Sequence, residues 1–245
     1  MHYYLICTGY NCLQYAKRCY TSILNIDFDN SKFTAVFASD GSNDGTSEWL
    51  IDNIKKPHHA WVNTQNMGAA YTRHHIINSL NMKDEDVIVL IGLDDEVFSN
   101  CLTEINKHYE NNKWMTYGNW IDQYGKGLPK DFPLDFDKNT HENRDYRKVE
   151  YRSTGLNTFK YFLYKEIPED DLKIDGKWIN STTESEVMFS CLEMCGKERI
   201  GIVWKYIALY NRNLPNGSLK RLGREYKYKL LEIIKNRPKR DKLIR

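Results

Sequence analysis

The chain has 245 residues, of which 41% are hydrophobic and 13% aromatic, and its formal charge is +2. That much apolar material supports a packed core and excludes a disordered chain. The near-neutral balance gives no support to nucleic acid binding by the molecule as a whole.

Residues 3–8 are a short apolar run bounded by Gly9 and Asn11, and they read as a buried strand. Leu13, Ala16, Tyr20, Ile23 and Leu24 then recur at helical spacing over residues 13–25. Residues 33–38 form a second strand. It stops at Ser39-Asp40-Gly41-Ser42, which is dense turn chemistry. Residues 46–54 read as a helix with Ser42 or Asp44 near its start. A short third strand at 61–63 leads to a helix over 69–81. Residues 87–91 are the most apolar strand and end at Gly92-Leu93-Asp94-Asp95-Glu96. Residues 100–110 return to helix. Such alternation predicts an α/β fold, a doubly wound, mixed but mostly parallel sheet flanked by helices. Sheets of this kind bind ligands beyond the carboxyl ends of their strands. The polar clusters at 8–11, 39–44 and 94–96 all fall at such ends.

Residues 115–120 read as a further strand. Gly, Pro, Asp and Lys then dominate to about residue 148, a long irregular stretch of the kind that forms lids and binding loops. Residues 152–165 read as a turn followed by a helix carrying Phe159, Phe162 and Leu163. Residues 184–195 are a helix with Val187, Met188, Cys191, Leu192 and Cys195 on one stripe, stopped by Gly196. Residues 200–210 are a last apolar strand. An amphipathic helix is expected over 219–235, with Leu219, Leu222, Tyr226, Leu230 and Ile233 on its apolar stripe. Eleven Lys and Arg against three acids give residues 220–245 a local charge of +8, leaving about −6 for the remainder. Such a helix packs on its own domain, lies on an anionic membrane surface, or binds a partner. The expected division is a domain over 1–215 and a basic extension over 216–245. Cys7, Cys12, Cys19, Cys101, Cys191 and Cys195 show neither CxxC nor zinc-site spacing. No secretory signal pattern opens the chain and no apolar run reaches ~18 residues. A cytoplasmic setting with free thiols is therefore expected, with peripheral membrane contact through 219–245 as one reading. The Lys-, Asn-, Ile- and Tyr-rich composition points to a bacterial or viral origin.

Four segments together resemble the family 2 glycosyltransferases. Residues 39–46, Ser-Asp-Gly-Ser-Asn-Asp-Gly-Thr, match the DDGSxDGT element of that family. Residues 66–73, Asn-Met-Gly-Ala-Ala-Tyr-Thr-Arg, are similar to its NxGxxxAR element. Leu93-Asp94-Asp95 after an apolar strand resembles its metal-binding DxD. Residues 183–196 resemble the helix that carries its catalytic base, and Tyr210-Asn211 follows at the usual place. The resemblance covers about residues 1–215. It implies a GT-A type fold and an inverting transfer of sugar from a nucleoside-diphosphate donor to a hydroxyl on a glycan or lipid-linked acceptor. UDP is the favoured nucleotide by family frequency.

The same resemblance implies site roles. Asp40 would accept a hydrogen bond from the nucleobase, with Ser42, Asn66, Gly68 and Leu93 around the donor; Asp44 fits turn or helix-dipole duty better. Thr8, Tyr10 and Asn11 would face base and ribose. Arg73 would meet the diphosphate or brace Asp40. Asp94, with Asp95 beside it, would hold Mn²⁺ or Mg²⁺ together with the donor phosphates. The first acid of the DxD falls on Gly92, and Glu96 is a candidate substitute. Glu184 aligns with the base and is favoured over Glu186, which would point elsewhere on a helix. Two other classes fit less well. A non-catalytic nucleotide-sugar or glycan binding module draws on Gly92. A sugar-phosphate nucleotidyltransferase would need a charged, Gly-rich loop where Thr8-Gly9-Tyr10-Asn11 stands.

Overall fold

A computed structural model describes the chain except residues 130, 131, 133 and 213–217 and the side chains of 218 and 219. Its strands are β1 (Tyr3–Gly9), β2 (Phe33–Asp40), β3 (His59–Asn63), β4 (Val87–Gly92), β5 (Glu96–Val97), β6 (Met115–Asp122), β7 (Asn157–Lys160), β8 (Lys173–Ile174), β9 (Lys177–Trp178) and β10 (Ile200–Tyr210). Its helices are α1 (Leu13–Leu24), α2 (Thr46–Asn53), α3 (Ala69–Ser79), α4 (Cys101–Glu110), α5 (Lys138–Asn143), α6 (Tyr161–Lys165), α7 (Thr183–Met194), α8 (Ser218–Leu222) and α9 (Arg224–Lys235). One sheet runs β3-β2-β1-β4-β7-β6-β10-β5, and β8-β9 make a small separate pair. The first four strands are mutually parallel, as are β6 and β10; β7 runs antiparallel between the two groups. The expected mixed, mostly parallel sheet is thus present.

Continuous apolar runs make β1 and β4 central strands, because helices cover both faces and leave no side for water. Tyr3, Leu5, Cys7, Val87 and Val89 face one core with α1 and α4, while Ile6, Ile88 and Leu90 face the other with α3 and α7. The chain turns back between β1 and β4, and the register sets Thr8 level with Gly92 and Gly9 level with Ser39. The three polar clusters therefore share one rim at the point where such sheets open a crevice.

Two assignments need correction. The helix expected through Phe159 begins only at Tyr161: Asn157–Lys160 is strand β7, with Phe159 fully buried between β4 and β6. Four residues buried on both faces carry no alternation, so periodicity cannot separate strand from helix there. The single helix expected over 219–235 is two, broken at Gly223, whose φ of 83° is open to glycine without strain. Leu230 and Ile234 of α9 are buried, Ile234 in the same core as α7, while Tyr226 and Ile233 stay 38% and 37% exposed. The expected boundary at 215/216 and the side chain of Leu219 lie outside the described residues. All six cysteines are buried and free. Among the described residues no helix is long and apolar enough to cross a membrane.

Candidate active site

The rim is built by loops that hold one another. Gly41 adopts φ 71°, and a Cβ there would collide with the Gln65 and Asn66 backbone, so the 65–68 loop passes directly over it. That close approach lets Asp40 gather the loop: its Oδ1 accepts from the Met67 amide at 2.9 Å, and its Oδ2 from the Gly68 amide at 2.8 Å. Asn63 and Thr72 also donate to Oδ1, and Asn66 Nδ2 donates to the Asp40 carbonyl. Across the rim, Asn11 donates its amide to Ser42 Oγ at 2.9 Å and exchanges side-chain bonds with Asn43. Asp44 accepts from the amides of Leu13 and Thr46, the first residues of α1 and α2. Carboxylates suit the positive ends of helices.

Arg73 links three elements. Buried on α3, it donates Nε to Thr8 Oγ1 of β1 at 3.0 Å and Nη1 to Thr183 Oγ1 of α7 at 3.0 Å, and it pairs with the Glu184 carboxylate. Burial works against the charged form of Glu184, but the guanidinium of Arg73 and the amides at the start of α7 outweigh it, and its carboxyl lies below the usual range. Asp94 and Asp95 go the other way. Burial raises both, and the negative charge of Asp94 adds to the rise at Asp95. Asn211, at the end of β10, clamps this turn: its amide donates to Asp95 Oδ1 at 2.9 Å and its Nδ2 to the Asp94 carbonyl at 2.6 Å.

The two acids fold back over Gly92. A Cβ at that position would lie 2.5 Å from Asp94 Oδ1 and 2.8 Å from Asp95 Oδ2, so glycine leaves both carboxylates room at one point. Among the described residues, no group of three or more His, Cys, Asp or Glu converges as a metal cage. Two carboxylates do fit a small divalent cation whose remaining ligands are phosphate and water. They do not fit a site closed by protein alone.

A cavity of about 600 Å³ opens beside this turn. Asp95 and Glu184 line it together with Trp120, Ser153, Tyr210 and Tyr228. Thr8, Arg73, Asp94, Asp95 and Glu184 therefore form one neighbourhood, and Asp40, Ser42, Asn66, Gly68 and Asn11 form the adjoining rim. Tyr10 lies under the Arg221 guanidinium, 5.0 Å from its ring centre. Three expected residues are turned elsewhere. Leu93 is fully buried and packs against Gly9, so only its backbone borders the rim. Glu96 pairs with Arg18 on another surface and does not replace the missing acid. Glu186 sits among Arg147, Arg237 and Arg240, because two residues along a helix turn a side chain away. Trp120, Ser153 and Tyr228 carried no signal in the sequence, since the strand, loop and helix that hold them have no motif.

The sequence model described as Glycosyl transferase family 2 matches residues 5–172. No curated protein matches the chain. The solved structure of S. aureus TarS 1–349 in complex with UDP-GlcNAc is similar, with a TM-score of 0.70 at 15% identity, covering 96% of this chain and 65% of that one. The structure of S. aureus TarS gives 0.63 at 15% identity, covering 86% and 37%. That of GalNAc-T7 with UDP, GalNAc and Mn2+ gives 0.61 at 14% identity, covering 95% and 48%. At such identities the likeness is one of fold. The chain spans from about a third to just under two thirds of the length of these structures.

Proposed function

The chain belongs to glycosyl transferase family 2, and from that premise we propose that it moves a sugar from a UDP-sugar to a hydroxyl on a glycan or glycolipid, with inversion. The observation that carries this reading is the cavity lined by both Glu184 and Asp95, with Arg73 bonded to the base candidate. In-line displacement needs a carboxylate on one side of the anomeric carbon and positive charge on the other. Glu184 is the base: Arg73 keeps it ionised, and a third of its side-chain surface stays open. It takes the proton of the acceptor hydroxyl as the oxygen bonds to the anomeric carbon. Arg73 is placed to move from Glu184 to the diphosphate, as a planar guanidinium suits phosphate oxygens. Asp94 and Asp95, together with the donor phosphates, would hold a Mn²⁺ or Mg²⁺ ion, which would supply further positive charge for the leaving group. The nucleoside lies along the rim of Thr8, Tyr10, Asn11, Asp40, Ser42, Asn66 and Gly68. Among the described residues Asp40 Oδ2 accepts the Gly68 amide alone, which leaves capacity for an imide N–H.

The similar structures that hold UDP-GlcNAc, or UDP and GalNAc with Mn2+, support a UDP donor and a divalent ion. The test is donor turnover in the wild type and in Glu184→Gln, with UDP binding followed in both. Turnover that collapses while UDP still binds supports the assignment, and full turnover in the variant refutes it.

A further inference from the structure

The charge run at the end of the chain divides in two. After residue 236 the protein itself holds the cations: Arg237 and Arg240 pair with Glu186, Lys239 with Asp145, Lys242 with Glu198 and Arg245 with Asp84. On α9 it does not. Among the described residues the side chains of Arg224, Lys227 and Lys229 meet no acid, no carbonyl and no aromatic ring, and all three are exposed. Lys220 and Arg221 of α8 are exposed as well. Residues 220–235 thus set six cations against two acids, Glu225 and Glu232.

The helix that carries these cations is fixed in place. Leu230 and Ile234 are buried, Tyr226 Oη donates to Asn180 Oδ1 at 3.1 Å, and Arg147 donates to the Ile234 carbonyl at 2.7 Å. Its apolar stripe is therefore taken up by the protein's own core. The face left to water is mixed: Tyr228 is 64% exposed and Ile233 37%, among cations that no protein group neutralises. This segment lies beyond the family match, which ends at residue 172.

We infer that the outer face of α8 and α9 docks on an anionic lipid surface. Lys and Arg close to such a surface each gain from its negative potential, and tyrosine rings and aliphatic tips sit well at headgroup level. With the apolar stripe turned inward, the contact is shallow, electrostatic and screened by salt. A nucleic acid fits less well, because the face is one helix wide and the rest of the chain carries about −6, which repels an extended polyanion. Lys227, Tyr228 and Leu231 also line the cavity that Glu184 faces. A docked molecule would hold that opening against the headgroups, where a lipid-linked acceptor carries its sugar. This last consequence, unlike the docking itself, rests on the transfer proposed above.

Sedimentation of the full chain with sucrose-loaded vesicles tests this, using phosphatidylcholine alone and phosphatidylcholine with about a third phosphatidylglycerol. Partition into the anionic vesicles should exceed that into neutral ones by about tenfold or more at ~0.1 M salt and collapse at ~0.5 M. Arg224→Glu/Lys227→Glu/Lys229→Glu should lower it by about tenfold or more, and Tyr228→Ala by about threefold. The three cations bond to nothing in the fold and Tyr228 is exposed, so Tm should not move in either variant. The same charge change in Lys32→Glu/Lys55→Glu/Lys56→Glu, placed near the amino ends of β2 and β3, should leave partition within about threefold of the wild type. Three results each overturn the docking face: equal partition into neutral and anionic vesicles, an α9 triple variant that binds no worse than this control, or tighter binding to a single-stranded oligodeoxynucleotide than to the anionic vesicles. Donor turnover enters none of these readouts, so their failure counts against the docking face alone and a failed turnover assay against the transfer alone.

Discussion

Asp95 shows how residues at this site trade stability for chemistry. Its carboxyl lies well above the usual range because it is buried and then because Asp94 repels it. The unfolded chain ionises it at the ordinary value, so above the folded pKa the native state carries the whole penalty, and the penalty fades as pH falls through that pKa. Asp95→Asn should therefore raise Tm at pH 7 by about 2–4 °C, the equivalent of about 1 kcal/mol. The Asn211 amide keeps an acceptor in that variant. Calorimetry at pH 7 and pH 5 should show the gain shrinking at the lower pH. Glu184→Gln makes the complementary prediction: kcat should fall by about 10²–10⁴ with UDP affinity little changed. Residues of this kind were legible because Asp40, Arg73, Asp94 and Glu184 sit in ordered motifs. Their partners were not. Asn211 clamps the acidic turn from 116 positions away, and nothing in the spacing of residues 94–96 announces it.

Among the elements, α7 is the pivot. It presents Glu184 to the cavity and buries Glu186 and Glu193 on its far side, where Arg147 donates to both. Arg237 and Arg240 join this cage from the segment after α9 and tie it to Asp171. Removing Arg147 would leave buried Glu193 with the Arg240 amide as its remaining donor among the described residues, and Glu186 with Arg237, Arg240 and Ser190 but short of its bidentate partner. Arg147→Ala should cost about 3–5 kcal/mol, read as a lowered urea midpoint. Arg237 and Arg240 belong to that cage, and the other cations from residue 235 onward have separate partners, where the sequence presents only a charge run. Lys235, Arg237, Lys239, Arg240, Lys242 and Arg245 all bond to protein groups. Long helices and central strands were readable from period and apolarity, since each buries a defined face. The exceptions have physical causes: β7 is too short for its period to show, and the break at Gly223 needs only one residue in the left-handed region.

At the scale of the molecule, one sheet brings β1, β2 and β4 to a common rim, α3 and α7 bring Arg73 and Glu184 over it, and β10 adds Asn211. The fold was legible because alternating strands and helices leave few topologies. The cavity was not, because its walls come from Gly92 and Asp95, from Trp120, and from the stretches around 150–157, 182–185, 208–210 and 227–231, which meet only in three dimensions. In the proposed reading, the rim beside this cavity holds a nucleoside diphosphate, with a divalent ion at Asp94 and Asp95. Thermal unfolding with UDP, with and without Mn²⁺, measures this most directly, since a ligand at ~100 times its Kd stabilises the native state by about 2.7 kcal/mol. UDP with Mn²⁺ should raise Tm by about 5–10 °C, UDP alone should do much less, and Asp94→Ala should remove the difference. An equal Tm with and without UDP and Mn²⁺, or a Mn²⁺-dependent rise that survives in Asp94→Ala, would contradict it.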